Sequence, residues 1–579
     1  MVTKQKALGQ FFTPEHIVEF MCDLSTNKQI NSILEPSAGE GIFLKSLEKR
    51  YNPEIIDSYE IDETLKNESS IEITNADFLT TQIDKRYDLI IGNPPYVRWK
   101  NIPDYLKENL LNDERWNDTI NGLFDLLYPF IIKCVELLNE NGELIFITPS
   151  FWLQTQHALA VREEMLNHGN LEILINFNES KVFPKVSSNI VIFKFVKTTE
   201  SKEIKVIDFK TKDKIDSESL DEIKEFLKDC SEEYCESERI MFFKVLPFEN
   251  SNPWKPIPQH IESKLNKIEN SCEVHSPIVE ANGKEYKLSS LLTKDDLNQF
   301  GLNAKDLKKV KYNNKNYFVS KPQQTLFGST GNYFRPVRLE DLVEIGNGMV
   351  SGLDSAFKVE DDSDLNDMEI IVAKAANLNQ YFNDDITKYI FANDIEDLET
   401  LKSDYSLIYN HLLPFKDKLD ERYKYNKDIP FWHWVFLRNK DLMESSEEKI
   451  FVPCKERVDK RGYIRFAFVE GKVYATQDVT AMVRKDDVKE DMKYILALLN
   501  SKLLYEWIIY KGLKRGGVLE FSEKPLSKIP IRLIDWNNEK EVKIYNNIVD
   551  LINQLLSKKE RDMEIINELE ENIEELYLQ

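Results

Sequence analysis

The 579-residue sequence contains no apolar run close to the ~20 residues that a membrane-spanning helix needs. Its first residues, Met-Val-Thr-Lys-Gln-Lys, also lack the apolar core of a secretory signal peptide. Both absences argue against membrane and secreted proteins, so the sequence predicts a cytoplasmic protein. A chain of this length exceeds what one hydrophobic core supports, and we expect two large domains with smaller additions.

Cysteine and histidine are scarce, with six and seven residues respectively. The cysteines are scattered, with no Cys-x-x-Cys pair and little histidine nearby, which argues against a structural zinc site and a disulfide framework. We therefore expect reduced thiols at all six positions, which are Cys22, Cys134, Cys230, Cys235, Cys272 and Cys454.

Positive charge is in deficit, since the formal net charge is −24. Three acidic segments, residues 212–239, 360–369 and 560–579, carry −19 of that total. Because the acidic charge is segregated, basic surfaces remain available elsewhere in the chain. The net charge therefore does not exclude a nucleic-acid partner.

The segment that carries most chemical information is residues 88–98, where an apolar strand runs into Asn93-Pro94-Pro95-Tyr96. The prolines fix φ near −65° and remove two backbone donors. The turn thus offers the Asn93 amide oxygen and the Pro94 carbonyl as acceptors beside the flat Tyr96 ring. Two acceptors draw the lone pair of an exocyclic amino group out of conjugation and make the nitrogen nucleophilic. The turn therefore predicts methylation of a planar amino group.

Segments upstream of this turn follow the order of a doubly wound sheet. Ser32–Glu35 is typical of a buried strand, and residues 36–41 form a small-residue loop before a helical stretch. Such a loop places free backbone N–H groups at the nucleotide-binding edge of a sheet. Residues 56–62 predict a second strand that ends in an acid, where an acid binds ribose hydroxyls, and Asp77 with Phe78 offers an acceptor and a ring to adenine. Together these positions favour an adenosyl cofactor.

Three further apolar segments complete the predicted sheet: residues 142–148, 171–177 and 190–195. Ahead of the first of them, apolar side chains from Leu123 to Leu138 recur at helical spacing. The first two hundred residues therefore predict one α/β domain.

The order of these motifs resembles the gamma class of DNA adenine-N6 methyltransferases, typified by the TaqI modification enzyme. In that family an early motif precedes the small-residue loop, as Leu8-Gly9-Gln10-Phe11-Phe12-Thr13-Pro14 does here. The resemblance implies an α/β, Rossmann-like domain that binds S-adenosylmethionine, and a C-terminal α+β target-recognition domain that reads double-stranded DNA. It also implies the modification enzyme of a restriction-modification system, whose chemistry requires no metal.

The resemblance implies roles for individual residues. It assigns Asn93 and Pro94 to the target amino group, and Tyr96 and Phe183 to stacking on the target base. Because a base inside a duplex cannot reach a recessed pocket, it must be flipped out, and stacking returns roughly 1–3 kcal/mol. The residues implied at the cofactor are Thr13, Glu35, Ala38, Gly39, Glu60, Ile61, Asp77, Phe78, Asn93, Pro95 and Phe130.

The predicted domain boundaries follow composition. Residues 1–200 form the methyltransferase domain, and residues 201–335, which are polar and less periodic, are interpreted as a connector with an insertion. Within this connector, Pro247 to Pro258 with Trp254 is expected to run along the surface. From Val337 the pattern resembles the specificity domain of TaqI-like enzymes, so residues 336–535 are assigned to target recognition and 536–579 to a helical segment.

Basic residues beside the turn and in two C-terminal clusters are predicted to contact DNA phosphates or base edges. A solvated basic surface is the alternative for each group. The amphipathic pattern from Ile544 to Leu576 predicts helices that either dock on the chain's own core or form a homodimer contact. The candidate DNA-binding residues are Arg98, Lys100, Lys455, Arg457, Lys460, Arg461, Lys511, Lys514 and Arg515.

The leading interpretation is a site-specific DNA adenine-N6 methyltransferase, and three alternatives stay open. The same turn occurs in enzymes that methylate RNA or a protein glutamine, although the early motif at residues 8–14 and the long C-terminal region disfavour them. A fusion to a nuclease is disfavoured because no carboxylate–carboxylate–lysine site is evident in the sequence. A catalytically silent DNA-binding subunit is disfavoured by the intact Asn93, Glu60 and Asp77.

Overall fold

A computed structural model describes residues 10–113, 116, 124–183, 189–320, 333–359, 368–425, 427–445, 447–458, 461–515 and 517–578. The chain divides into two compact units, Met1–Glu262 and Ser263–Gln579. Four features named above lie outside the described residues: Lys460, Leu123, the start of the early motif at residues 8–9, and the acidic residues 360–367. Within the described residues, no helix has the length and apolar character to cross a membrane.

A ten-stranded sheet forms the centre of the first unit, in the order β3-β2-β1-β4-β5-β7-β6-β8-β10-β9. Strands β1, β2, β4 and β5 are parallel, and β7 runs antiparallel between β5 and β6. The strands are β1 Ser32–Glu35, β2 Ile55–Glu60, β3 Thr74–Asn75, β4 Tyr87–Gly92, β5 Leu138–Pro149, β6 Asn170–Asn176, β7 Ile190–Val196, β8 Ile204–Phe209, β9 Tyr234–Glu236 and β10 Ile240–Val245.

The central strands are mostly apolar because helices cover both faces of the sheet, and the buried Lys194 of β7 is paired with Glu143 at 2.8 Å. In β4, Leu89 and Ile91 belong to a core shared with the helices Glu15–Asp23 and Ile42–Arg50. Ile90 belongs to a second core shared with the helices Leu127–Glu136 and Leu159–His168. The sequence thus produces three layers, helix, sheet and helix. The helices of this unit are Glu15–Asp23, Ile42–Arg50, Asp104–Leu111, Leu127–Glu136, Leu159–His168 and Ser217–Asp229.

The first unit extends past the predicted boundary at residue 200. Strands β8, β9 and β10 join the sheet, so the region interpreted as a connector begins as part of the same layer. Residues 247–258 run without helix or strand, and Glu249, Asn250 and Pro253 are exposed, but Trp254 is 3% exposed and stacks on Phe248 with ring centroids 4.8 Å apart, so this side chain anchors the stretch to the core. The strands here are short, and each of β8 and β10 contains one half-buried lysine among its apolar residues, which conceals their apolar character in a lysine- and glutamate-rich region.

The second unit contains three small sheets and two hairpins. The supposed insertion holds both hairpins, which are Ile278–Ala281 with Lys284–Lys287 and Lys308–Tyr312 with Lys315–Val319. The five-stranded sheet has the order Val343–Asn347, Val479–Arg484, Lys449–Pro453, Ala467–Val469, Tyr381–Phe382. The three-stranded sheets have the orders Thr387–Ile390, Glu369–Ala373, Tyr474–Ala475 and Lys455–Glu456, Val518–Glu520, Lys514–Arg515.

Helices surround these sheets in the second unit. One helix, Gln259–Val274, spans the boundary between the units. The others are Lys294–Gln299, Leu339–Leu342, Asp354–Phe357, Leu398–Ser403, Ser406–Leu412, Lys416–Glu421, Lys440–Glu444, Met492–Leu499, Lys502–Lys511, Glu523–Ser527, Glu539–Lys558 and Met563–Leu578.

The last two helices, Glu539–Lys558 and Met563–Leu578, pack against each other, and the first of them also packs against Met492–Leu499. Their apolar positions are buried, with Ile548 fully buried and Ile573 1% exposed. The side chains that suggested a dimer contact are therefore covered within the chain itself, in agreement with the docking alternative.

The cysteines differ from the prediction at one place. The structure joins Cys230 to Cys235 as a disulfide, so the expectation of six reduced thiols is wrong for this pair. The pair escaped notice because a five-residue separation matches none of the common spacing motifs. The other four, Cys22, Cys134, Cys272 and Cys454, are free thiols.

Candidate functional site

A cavity of about 880 Å³, its open mouth included, lies where β1, β2, β3 and β4 end. Ligands of open α/β sheets bind at this carboxyl edge. Eight of the predicted cofactor residues line it: Gly39, Glu60, Ile61, Asp77, Phe78, Asn93, Pro95 and Phe130.

Three predicted cofactor residues, Thr13, Glu35 and Ala38, do not line this cavity, and neither do Pro94, Tyr96 and Phe183. Other lining residues were not predicted. Gln10, Phe11 and Phe12 belong to the early motif, which indicated that this segment is functional but did not predict that these three side chains line the cavity. The helix Asp104–Leu111 and its flanks add apolar lining that the sequence does not distinguish from core, namely Val97, Ile102, Pro103, Leu106, Leu110 and Leu126.

Glu35, the last residue of β1, is buried without a partner. It is 1% exposed, and neither carboxylate oxygen has a hydrogen-bond partner among the described residues. Burial, and then the negative charge of Glu60, raise the pKa of Glu35 well above its usual value. Because an unpaired buried carboxylate is costly, its place beside a cavity fits a site that awaits a cationic or hydrogen-bond-donating ligand.

Glu60 organises the small-residue loop. Its carboxylate accepts hydrogen bonds from the backbone N–H groups of Gly39 and Asp62, both at 2.9 Å. The N–H of Ala38 donates to the carbonyl of Tyr59 at 2.8 Å. The loop N–H groups of residues 38 and 39 are therefore used within the protein, in contrast to the free donors that the sequence predicted. Gly39 adopts φ of +56°, a left-handed conformation that favours glycine.

The far end of the cavity is aromatic. The rings of Phe78 and Phe130 lie 5.2 Å apart, and the Nζ of Lys133 lies 4.7 Å from the Phe78 ring. Lys133 also donates to backbone carbonyls of this turn, including that of Thr81 at 2.6 Å. Asp77 accepts from the N–H of Leu79 at 3.0 Å, which shapes the same turn. The result is an apolar, ring-lined end with a carboxylate at its rim, suited to a flat heteroaromatic ring.

Asn93 follows β4 and has a fixed side chain. Its Nδ2 donates to the carbonyl of Phe11 at 2.7 Å and to the Oγ1 of Thr13 at 3.1 Å. Its Oδ1 is buried and has no partner among the described residues. With both amide protons engaged, the amide oxygen is left as a buried acceptor at the cavity. Thr13, which the resemblance assigned to the cofactor, here holds Asn93.

Three aromatic rings meet beside this acceptor. Phe11 is stacked on Tyr96, with centroids 5.0 Å apart and ring planes 11° apart, and it lies 6.3 Å from Phe183. The Tyr96 hydroxyl has no hydrogen-bond partner of ordinary geometry among the described residues; burial raises the pKa of Tyr96, and its interaction with the Asn93 side chain opposes this rise. The structure thus brings the two predicted stacking residues together through a third ring.

The basic residues near the turn are exposed. Arg98 and Lys100 follow Tyr96 on the surface, and Arg98 pairs through its backbone with Asp125. Burial raises the pKa of Asp125 to about 6, and the Arg98 charge opposes this rise. Sequence analysis did not single out Asp125, since it lies between two apolar helical segments and gives no separate signal.

The predicted C-terminal basic residues differ in their surroundings. Lys455 and Lys514 are exposed on neighbouring parts of one three-stranded sheet, and neither forms an ion pair with a described residue. Arg461 pairs instead with the buried Glu456, and Lys511 lies 3.6 Å from Glu269. Arg457 is exposed and has a partner. The backbone of Arg515 lies in the strand Lys514–Arg515, while its side chain is outside the described part of the structure.

Comparison with known proteins gives matches over both units. Residues 18–183 match the Eco57I restriction-modification methylase family, and residues 409–531 match the TaqI-like C-terminal specificity domain. Over 578 residues the chain is 38% identical to the Type II methyltransferase M.HindII of Haemophilus influenzae, covering 99% of this chain and 98% of that relative. The chain belongs to the Type II DNA methyltransferases of restriction-modification systems.

Other relatives of this Type II DNA methyltransferase agree. M.HincII, also from Haemophilus influenzae, is 36% identical and covers 99% of this chain and 98% of its own length. A solved structure of the Type IIL restriction-modification enzyme MmeI in complex with DNA shares the fold, with a TM-score of 0.51 at 13% identity. It covers 94% of this chain and 70% of the MmeI chain. The predicted TaqI-like family, methyltransferase fold and specificity domain are thus confirmed, and methylation of DNA is its activity.

Proposed function

We propose that this methyltransferase transfers a methyl group from S-adenosylmethionine to N6 of an adenine flipped out of duplex DNA. The observation that carries the proposal is the Asn93 amide oxygen, buried at the cavity without a partner. An amino group donating to that oxygen satisfies it, and the amino nitrogen gains nucleophilicity as its lone pair leaves conjugation.

The residues around the cavity fit the cofactor. The unpaired carboxylate of Glu35 suits the ammonium group of a methionine moiety, and Glu60 retains lone pairs for ribose hydroxyls beyond its two backbone donors. Phe78 and Phe130 suit the adenine ring, with Asp77 at its rim. When bound, S-adenosylmethionine supplies an electrophilic methyl group on a sulfonium.

The turn positions the target base. Asn93 and the Pro94 carbonyl accept from the target amino group, while the Tyr96 ring offers a stacking surface and Phe183 lies 6.3 Å from the Phe11 ring. Because the acceptors are held by hydrogen bonds and proline geometry before substrate arrives, little reorganisation is needed during reaction. Orientation of the amino group supplies much of the rate.

The DNA-contacting surface is part of the same proposal. Lys455 and Lys514 combine exposure, absence of an ion pair with described residues and a shared sheet, which suits contact with phosphates. Arg98 and Lys100 are exposed directly after the catalytic turn and suit contact near the flipped base. Arg461 is engaged by Glu456, so its role is better described as stabilising this strand end.

Modification-sensitive sequencing of DNA from cells that express the protein tests the proposal. We expect N6-methyladenine at one position in one short sequence, and its loss in an Asn93→Ala variant. Asn52→Ala serves as the matched control, because Asn52 is exposed between the helix Ile42–Arg50 and β2. Methylation of cytosine, or unchanged adenine methylation in Asn93→Ala, would contradict the proposed chemistry.

A further inference from the structure

The stacking position on Tyr96 is already occupied by the Phe11 ring. The Phe11 ring lies nearly parallel to that of Tyr96, at 5.0 Å and 11°, and its centroid is 6.3 Å from that of Phe183, with the ring planes tilted by 49°. Parallel stacking at this separation is the arrangement that a nucleobase adopts on an aromatic side chain. A flipped base and the Phe11 ring therefore compete for one position on Tyr96.

The Phe11 ring is held loosely compared with its backbone. The side chain is 37% exposed, while the backbone carbonyl accepts from the Nδ2 of Asn93 at 2.7 Å. Rotation about the side-chain torsions moves the ring without breaking that hydrogen bond. The segment thus keeps Asn93 oriented while its ring enters or leaves the stack.

The Phe11 ring cannot donate a hydrogen bond to the Asn93 amide oxygen. A phenyl ring has no hydrogen-bond donor, and the Asn93 Oδ1 remains without a partner while the ring is in place. An amino-bearing base that replaces the ring stacks equally well and satisfies this oxygen. The exchange therefore favours a base with an exocyclic amino group over the protein's own side chain.

We propose that Phe11 is a placeholder for the target base: it occupies the stacking position on Tyr96 without DNA and swings out as the base enters. The inference rests on the proposed function, which places the target base at Tyr96. The ring protects an apolar surface that is otherwise exposed to water, and it acts as a gate that every base must displace. Its removal should favour entry of the base by roughly tenfold, as expected for one stacked ring.

The test compares the affinity of the protein for two DNA duplexes. Both contain the recognition sequence, and one carries an abasic site at the nucleotide that the wild-type protein methylates. Phe11→Ala should bind the intact duplex about tenfold more tightly and leave the affinity for the abasic duplex unchanged, because no base enters in the latter. Phe12→Ala is the matched control: Phe12 lines the same cavity, 43% exposed, and the ratio of the two affinities should stay at the wild-type value.

An unchanged ratio in Phe11→Ala would overturn the placeholder, and so would equal weakening of both duplexes, which indicates a merely structural ring. Phe11→Leu keeps apolar volume without a flat ring and should shift the ratio in the same direction if Phe11→Ala fails to fold. The two proposals fail separately. If the protein methylates cytosine, the adenine assignment is wrong, and the ratio of the two DNA affinities is then measured with the abasic site at that cytosine. If the protein methylates adenine and the affinity ratio is unchanged in Phe11→Ala, only the role of Phe11 is overturned.

Discussion

Replacement of Thr13 by valine tests how the catalytic asparagine is held. Thr13 is 4% exposed and its Oγ1 accepts from the Nδ2 of Asn93 at 3.1 Å, while Phe11 supplies the second acceptor at 2.7 Å. Valine keeps the shape and removes the acceptor. The amide of Asn93 is then held only by the Phe11 carbonyl, so orientations that turn its oxygen away from the target amino group become more populated.

The magnitude follows from one neutral hydrogen bond. Its loss costs about 0.5–1.5 kcal/mol, so the productive amide orientation loses between about twofold and tenfold in relative population. Because the Phe11 carbonyl still favours this orientation, the effect should not exceed that range. We expect Thr13→Val to lower kcat by that factor with the KM for S-adenosylmethionine unchanged.

Steady-state kinetics with varied S-adenosylmethionine measures both constants, and Thr13→Ser is the control because it keeps the hydroxyl. The family resemblance assigns Thr13 to the cofactor instead, and that role predicts the opposite split. A raised KM for S-adenosylmethionine with unchanged kcat would refute the positioning argument. A wild-type kcat in Thr13→Val would also refute it.

Two further predictions concern binding. Because the pKa of Glu35 is raised, its carboxyl keeps its proton to higher pH than an exposed glutamate, and pairing with an ammonium requires that proton to leave. We expect S-adenosylmethionine binding to release a proton, and its affinity to rise with pH up to the raised pKa of Glu35. Calorimetry in buffers of different ionisation heat measures the proton release, which Glu35→Gln should abolish. Proton release that persists in Glu35→Gln would contradict the assignment. Lys455→Ala and Lys514→Ala should each reduce the slope of log affinity for DNA against log salt concentration by about 0.9. Lys540→Ala is the control and should leave the slope unchanged, because Lys540 pairs with Glu575. Equal slopes in all three variants would argue against phosphate contacts by Lys455 and Lys514.

The residues at the ends of strands were predictable because their chemistry is local. Glu60 ends β2, Asp77 lies two residues after β3 and Asn93 directly follows β4, and parallel strands bring their carboxyl ends to one edge. The positions of Phe11 and Thr13 were not predictable in the same way, since their contacts join residues about eighty positions apart. A motif indicates that such residues matter, but only the folded chain shows what they touch.

The fold was predictable where strands are buried on both faces and obscure where they are not. β4 and β7 each contain only one charged residue among apolar ones, which identifies central strands. β8 and β10 each contain one half-buried lysine and lie in a lysine- and glutamate-rich region, so composition suggested a connector. The apolar wall supplied by Leu106 and Leu110 was equally hidden, because a helix that lines a cavity has the same spacing as one that faces a core.

The candidate site has one wall built into the sheet and one wall that is not. β4 is paired on both sides, with β1 and β5, and its melting requires the whole first unit to open. The segment from Gln10 to Thr13 has no ladder pairing and is secured by a few side-chain contacts such as that of Gln10 with Asp62. Thermal stability and catalytic activity are therefore separate properties in this protein. A variant that loosens the segment from Gln10 to Thr13 can melt at the same temperature as the parent and yet be inactive. A thermal-shift screen would not detect such a variant.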